Sequence, residues 1–145
     1  MKEIVIRQAA PTDINAVKSL LESASLPTLG VSEHFQHFLV AEASEVIVGA
    51  IGLEVYDDTG LLRSAVVAPA SQKSGIGSLL FQKNVDQARN LGVKRILLLT
   101  NTAEKYFERK GFVRIDQKSV TGAVTTSVEF SGACPAHAAC MELKL

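Results

Sequence analysis

The stretch "VVAPASQKSGIGSLL", residues 66–80, constrains this chain more than any other. An apolar run ends at Pro69, and a new one starts through Gly75 and Gly77. Glycine in a helix costs about 1 kcal/mol relative to alanine. Two at one helix entrance mark a place where a side chain would obstruct something. A helix start leaves its first N–H groups without intrahelical partners and adds partial positive charge, so it attracts phosphate. We therefore read Gln72, Lys73, Ser74, Gly75, Ile76, Gly77 and Ser78 as a turn whose amides surround a diphosphate, with Lys73 adding charge at the rim. The competing reading is a plain glycine-rich turn between a strand and a helix. Two familiar phosphate motifs are excluded. There is no G-x-x-x-x-G-K-[ST], and Leu80 stands where a Rossmann fingerprint needs its third glycine.

The surrounding pattern is mixed α/β. "KEIVIRQA" alternates as a first strand, with Ile4 and Ile6 on one side. In "PTDINAVKSLLESA", Thr12 is the expected cap, and Ile14, Val17, Leu20, Leu21 and Ala24 keep helical spacing. Pro27 and Gly30 break that helix, and "GVSEHFQ" reads as a short second helix or a loop. "HFLVAEA" and "EVIVGAIGLEVY" form an antiparallel hairpin, and "DDTG" turns into "LLRSAVVA". A helix from Gly75 to Leu91 closes at Gly92. "VKRILLLT" is a nearly continuous apolar run, as in a strand covered on both faces. "AEKYFERK" is a helix stopped by Gly111, and "FVRIDQ" is a strand. The segment 119–130 carries strand-like Thr and Val, yet is read as a helix; "ACMELKL" alternates as the last strand.

Length and charge narrow the classes. The 145 residues fit one domain, expected over 1–145, and 47% apolar content argues for a packed globule. Fifteen basic and fifteen acidic residues argue against a broad nucleic-acid or membrane surface. No stretch of 18 or more apolar residues and no leader pattern is present, so the expected location is cytoplasmic. Cys134 and Cys140 are too few for a disulfide scaffold.

The pattern V-x-P-x-x-Q-x-x-G-x-G, filled by Val67, Pro69, Gln72, Gly75 and Gly77, resembles the signature of the GNAT N-acetyltransferases. The order of the other elements matches that family over almost the whole chain. The resemblance implies a GNAT fold: a mixed, mostly antiparallel central sheet flanked by helices and splayed at its central strands. It also implies acetyl-coenzyme A as cosubstrate and a small-molecule amine as acceptor. It admits a homodimer, while the charge balance and apolar pattern above leave no nucleic acid or membrane partner expected. "SLPTLGV…HFLVAE…GLEVY…GLLRS" and the ending "EFSGACPAHAACMEL" further resemble the small GNAT proteins associated with arsenic-resistance operons.

Acetyl transfer to an amine needs a neutral amine, a donor for the oxyanion and a proton for the leaving thiolate. In this family the pantetheine pairs with the central strand, so backbone groups of Ala65, Val66 and Val67 are the expected contacts. An N–H there is the expected oxyanion donor, which brings Ser64 and Val66 into the catalytic set. Four residues before Gly111 the family's usual acid, a tyrosine, is replaced by Phe107, while Tyr106 lies one place early. The family's asparagine is replaced by Thr100, with Asn101 next to it. Thr100, Asn101 and Phe107 are carried over as coenzyme contacts. The missing tyrosine implies that water or another side chain protonates the thiolate. It also motivates an alternative function, a coenzyme-binding, thiol-bearing sensor or interaction module with little catalysis.

Glu54 completes the catalytic set with Arg63. Glu54 lies in an otherwise apolar strand and is read as a general base, as a group that orients the amine, or as a solvent-facing position. Arg63 is read as a clamp for an anionic substrate group and as a partner of Glu54 across the hairpin, two compatible readings. His34 follows the loop where the family builds substrate walls. No metal is expected, because Cys134, His137 and Cys140 match no common zinc spacing. The two cysteines are alternatively thiolate contacts for trivalent arsenic or ordinary core residues.

Overall fold

The structure, a computed structural model, describes residues 3–130 and 138–145. Among the described residues seven strands occur, β1 (Ile4–Gln8), β2 (Phe38–Ala43), β3 (Val46–Tyr56), β4 (Thr59–Val67), β5 (Arg95–Thr100), β6 (Val113–Ile115) and β7 (Ala139–Lys144). The α-helices of these residues are α1 (Ile14–Ser23), α2 (Val31–His34), α3 (Ile76–Asn90) and α4 (Glu104–Arg109). The strands hydrogen-bond in the order β1-β2-β3-β4-β5-β7-β6. β4/β5 pair in parallel; β1/β2, β2/β3, β5/β7 and β6/β7 are antiparallel. This is the mixed, mostly antiparallel GNAT sheet expected from the sequence. Among the described residues no helix is long and apolar enough to cross a membrane.

The chain divides into two compact units, Met1–Leu53 with Ser64–Gln87 and Glu54–Arg63 with Ala88–Leu145. In the first unit β1 and β2 pair from Ile4↔Ala43 to Gln8↔Leu39, and β2 meets β3 through a bulge at Ala41/Glu42. Val17 and Leu21 of α1, with Val31, Phe35, Phe38, Val40, Ala50 and Val66, form its apolar core. Gly52 seats Phe38, since a Cβ there would lie 2.4 Å from the ring. The expected Thr12 cap is not what the structure uses. Pro11–Asp13 form a 3-10 turn, and Asp13 accepts from the Ala10 N–H at 2.7 Å. Proline at the first position fixes φ for that turn, and the carboxylate takes the donor the turn leaves over. "GVSEHFQ" resolves into α2 and a following 3-10 turn, Phe35–His37.

In the second unit the parallel ladder runs from Thr59↔Arg95 to Leu61↔Leu97 and ends, while β4 continues to Val67 and β5 to Thr100. β7 pairs with β5 along six residues, Arg95↔Lys144 to Thr100↔Ala139. Leu61, Leu97, Val120, Val124 and Cys140 form the core here, with Tyr56, Leu99, Ile115 and Phe130 against it. The helix expected within 119–130 is replaced by 3-10 turns at Gln117–Ser119 and Ala123–Thr126. Ser119, Thr125 and Thr126 hydroxyls donate to carbonyls three residues back, and Gly122 has φ +93°. Short hydroxyl side chains bonded to their own backbone favour turns over a continued helix.

Candidate functional site

The loop expected to hold the coenzyme belongs to the first unit. β4 ends at Val67, a 3-10 turn covers Pro69–Ser71, and α3 begins at Ile76. Gln72 Nε2 donates to the Val67 carbonyl at 3.1 Å and ties the loop to the strand end. Lys73 (φ +65°) and Gly75 (φ +87°) are both left-handed, so the chain turns sharply before the helix starts. A Cβ built on Gly75 meets nothing within 4 Å. The glycine is therefore required for its φ, and the space above it is open. Gln72, Lys73, Ser74, Gly75 and Ser78 are exposed, Gly77 is half-buried and Ile76 anchors the helix in the core. An exposed turn of small residues at the start of a 15-residue helix fits a diphosphate.

β4 supplies the next part. Ser64 has φ +58° in the middle of the strand, which interrupts its alternation. Arg63 is buried, Ser64 half-buried, Ala65 exposed, Val66 buried and Val67 half-buried. The Ala68 N–H donates to the Val48 carbonyl at 2.7 Å and anchors the strand end on β3.

The second unit holds a buried polar cluster. Arg63 Nη1 donates to Glu54 Oε2 at 2.8 Å, and both residues are buried, at 3% and 0% exposure. The Tyr56 hydroxyl donates to Glu54 Oε1 at 2.5 Å. Ser127 also hydrogen-bonds Tyr56, and the Glu129 N–H donates to Ser127 Oγ at 3.1 Å. Burial and then the Glu54 contact push the Tyr56 phenol up to about 12, although Ser127 opposes them. The solvent-facing reading of Glu54 is thereby overturned. An ionised carboxylate is tolerated at that depth because Arg63 and Tyr56 satisfy both of its oxygens. The pairing reading of Arg63 is the one the geometry shows.

The remaining expected contacts have structural occupations. Thr100 Oγ1 accepts from the Ala103 N–H at 3.0 Å ahead of α4, and Asn101 is exposed. Phe107 is buried at 8% exposure, edge-on to Tyr106 and to Phe112, with ring centroids 5.1 and 5.5 Å away. The residue at the family's tyrosine position is thus a core ring in the second unit. Tyr106 is half-buried under the Lys110 ammonium, 5.5 Å from the ring centroid. His34 ends α2; burial, with His34 adding to it, holds His37 below the usual imidazole range. Cys140 is a core residue of β7 at 2% exposure, and burial pushes its thiol up to about 11. That disfavours it as a thiolate contact. Cys134 and His137 lie outside the described residues.

Tyr56, Ser127 and Glu129 were missed by sequence reasoning. A signal for Tyr56 existed, because residues two apart in a strand share a face and Glu54 was already singled out. Ser127 and Glu129 carried none, since a segment of 3-10 turns has no period to place its side chains.

Residues 34–114 match the acetyltransferase (GNAT) domain family. An amino-acid acetyltransferase of Mycobacterium tuberculosis is 33% identical over 132 residues, covering 83% of this chain and 74% of that protein. An amino-acid acetyltransferase of Ralstonia nicotianae is 31% identical over 117 residues, 74% of this chain. The chain spans only 26% of that longer relative. Among solved structures, Rv2747 of Mycobacterium tuberculosis, in complex with coenzyme A and a second ligand, has a TM-score of 0.81 and 28% identity. The match covers 97% of this chain and 99% of that one. N-acetylglutamate synthase of Neisseria gonorrhoeae superposes with a TM-score of 0.84 over 99% of this chain and 35% of its own. At 22% identity that likeness speaks for the fold alone. With its loop, its sheet and these relatives in agreement, the chain belongs to the GNAT N-acetyltransferases, which use acetyl-coenzyme A as cosubstrate.

Proposed function

We propose that the chain transfers the acetyl group of acetyl-coenzyme A to the amine of a small amino-acid-like molecule. The observation that carries this reading is the 33% identity, over most of both chains, to a protein named amino-acid acetyltransferase. Acetyl-coenzyme A brings an activated thioester. The chain's own residues bind, orient and move protons. Backbone amides of 72–78 hold the diphosphate, with Lys73 at the rim. Backbone groups of Ala65, Val66 and Val67 hold the pantetheine, and the Val66 N–H donates to the oxyanion. Ser64, left-handed and adjacent, turns the strand at that point. Glu54, held by Arg63 at 2.8 Å, acts on the amine as a base or as an orienting group. The arsenic-operon resemblance adds an amine-bearing arsenical to the acceptor class, although no relative reported above is named for arsenic chemistry.

Thiol release from acetyl-coenzyme A, measured across α-amino acids, simple alkylamines and an amine-bearing arsenical, tests the reading. Turnover is expected with acceptors that carry an α-amino group beside a carboxylate. Turnover confined to alkylamines sinks the amino-acid assignment. Calorimetry on a Gly75→Asp variant tests the loop. Bulk and negative charge at that position are expected to weaken acetyl-coenzyme A binding at least tenfold, which corresponds to about 1.4 kcal/mol. Unchanged affinity in a folded variant removes the loop from the site.

A further inference from the structure

Gly49 is buried on β3 and does not have a positive φ, so its backbone would accept an L side chain. Space is what excludes one. A Cβ built there lies 3.1 Å from the Val66 carbonyl oxygen of β4 and 3.1 Å from Leu80 Cδ1 of α3. Both are closer than ordinary van der Waals contact. The Ala41 Cβ, across the β2/β3 ladder, is at an ordinary 3.5 Å. One missing methyl therefore lets the end of β4 and the second turn of α3 close on the same point of β3. All of these residues lie in the first unit.

We infer that Gly49 is a positioning residue for acetyl-coenzyme A: its lack of a side chain sets the span between the strand that takes the pantetheine and the helix start that takes the diphosphate. This rests on the coenzyme placement proposed above. A ligand held at two places gains from both only when their separation matches its own. Gly49 touches no part of the coenzyme in this account. It acts through Val66 on one side and through Leu80 on the other.

The surrounding bonds fix that span at the strand end. The Ala68 N–H donates to the Val48 carbonyl at 2.7 Å, and Gln72 Nε2 donates to the Val67 carbonyl at 3.1 Å. Val48 is the residue that the β2/β3 ladder passes over between Ala41↔Gly49 and Glu42↔Ile47. A bulge of this kind bends its strand and re-aims the groups it carries. Leu80 is buried, and a close-packed interior transmits displacement. A methyl at position 49 therefore pushes on a side-chain tip, which can rotate, and on a carbonyl, which moves only with β4. The loop keeps its own shape, because that is set by the left-handed Lys73 and Gly75. Each half of the coenzyme still meets its own contacts, but the two halves no longer fit together.

The test compares Gly49→Ala with the parent by calorimetry against two ligands, acetyl-coenzyme A and 3′-phospho-ADP, the nucleotide half that carries the diphosphate. The variant is expected to bind acetyl-coenzyme A roughly tenfold or more weakly, through loss of simultaneous engagement. Its affinity for 3′-phospho-ADP is expected to stay within about twofold of the parent's, since that ligand engages the loop alone. The same comparison is made in a Leu80→Val background, which opens room beside the added methyl and serves if the single variant does not fold. Equal weakening of both ligands would assign the effect to a disturbed loop or a loosened fold and overturn the inference. Unchanged affinity for both would overturn it as well. A parent that binds acetyl-coenzyme A but not 3′-phospho-ADP would remove the two-anchor premise, and the inference with it, while leaving acetyl transfer intact. If the parent binds neither ligand, the coenzyme placement itself falls.

Discussion

Ser64 is a residue whose conformation outweighs its chemistry. A left-handed backbone costs an L-residue about 1–2 kcal/mol, and β-branched side chains bear it worst. Ser64 adopts it at φ +58° inside β4, between buried Arg63 and exposed Ala65. The strand's alternation slips there, so Arg63 lies in the buried cluster and Ala65 opens to solvent. Ser64→Gly and Ser64→Val both lose the hydroxyl and differ mainly in tolerance of positive φ. Urea unfolding is expected to find the valine variant less stable by about 2 kcal/mol. Equal midpoints would mean that the strand repairs itself by moving out of the left-handed region. The same residue also marks where sequence reading stopped: Arg63 was legible as a charged residue in an apolar strand, but not the turn of the backbone beside it.

At the scale of elements, two joints hold the first unit. The β2/β3 hairpin closes over Phe38 because Gly52 has no side chain. Gly52→Val drives a branched side chain into that ring and is expected to cost about 1–3 kcal/mol, the range for overpacking. A thermal midpoint equal to the parent's would show that Phe38 can move aside. The second joint is Arg7, which donates to Asp13 at 2.8 Å and to Glu42 at 3.1 Å, so that one guanidinium ties β1, the entry to α1 and β2. The hydrogen bond from Arg7 holds the Asp13 carboxyl below the usual carboxylate range. A depressed folded pKa contributes stability that is present above the unfolded value and lost as pH falls through the folded one. Asp13→Asn is therefore expected to be less stable than the parent at pH 7, and to converge with it as the pH drops below about 4. Denaturant midpoints measured from pH 7 to pH 3 check both halves; a gap constant over that range would assign the effect to shape and not to charge. Element types were legible from period and punctuation. The cap at α1 was not, because a proline-led 3-10 turn moved the acceptor role from Thr12 to Asp13.

For the whole molecule, ligand linkage and thiol burial give independent readings. A ligand that binds only the folded chain stabilises it by about 2.7 kcal/mol at a concentration a hundredfold above its Kd. Acetyl-coenzyme A is expected to raise the thermal midpoint of the parent in a concentration-dependent way, and that of Gly75→Asp much less at the same concentration. Cys140, at 2% exposure and with a thiol raised to about 11, is expected to resist alkylation at pH 8 until the chain unfolds. Mass spectrometry of alkylated peptides in buffer and in urea measures this, and rapid labelling in buffer would contradict the burial.

The sequence by itself determined whatever depends on neighbours along the chain. Hydrophobic period, turn chemistry and the spacing of Gln72, Gly75 and Gly77 are local, and each corresponds to an element or a loop in the structure. Only the tertiary structure decided what depends on neighbours in space. It put Glu54 in a buried pair with Arg63, brought Ser127 to Tyr56, made Phe107 a core ring and Cys140 a core thiol. The physical reason is that burial and partner choice set the charge and reach of a side chain, and both come from residues far away in the chain. Ser127 lies 71 positions from Tyr56, and no local pattern records that they meet.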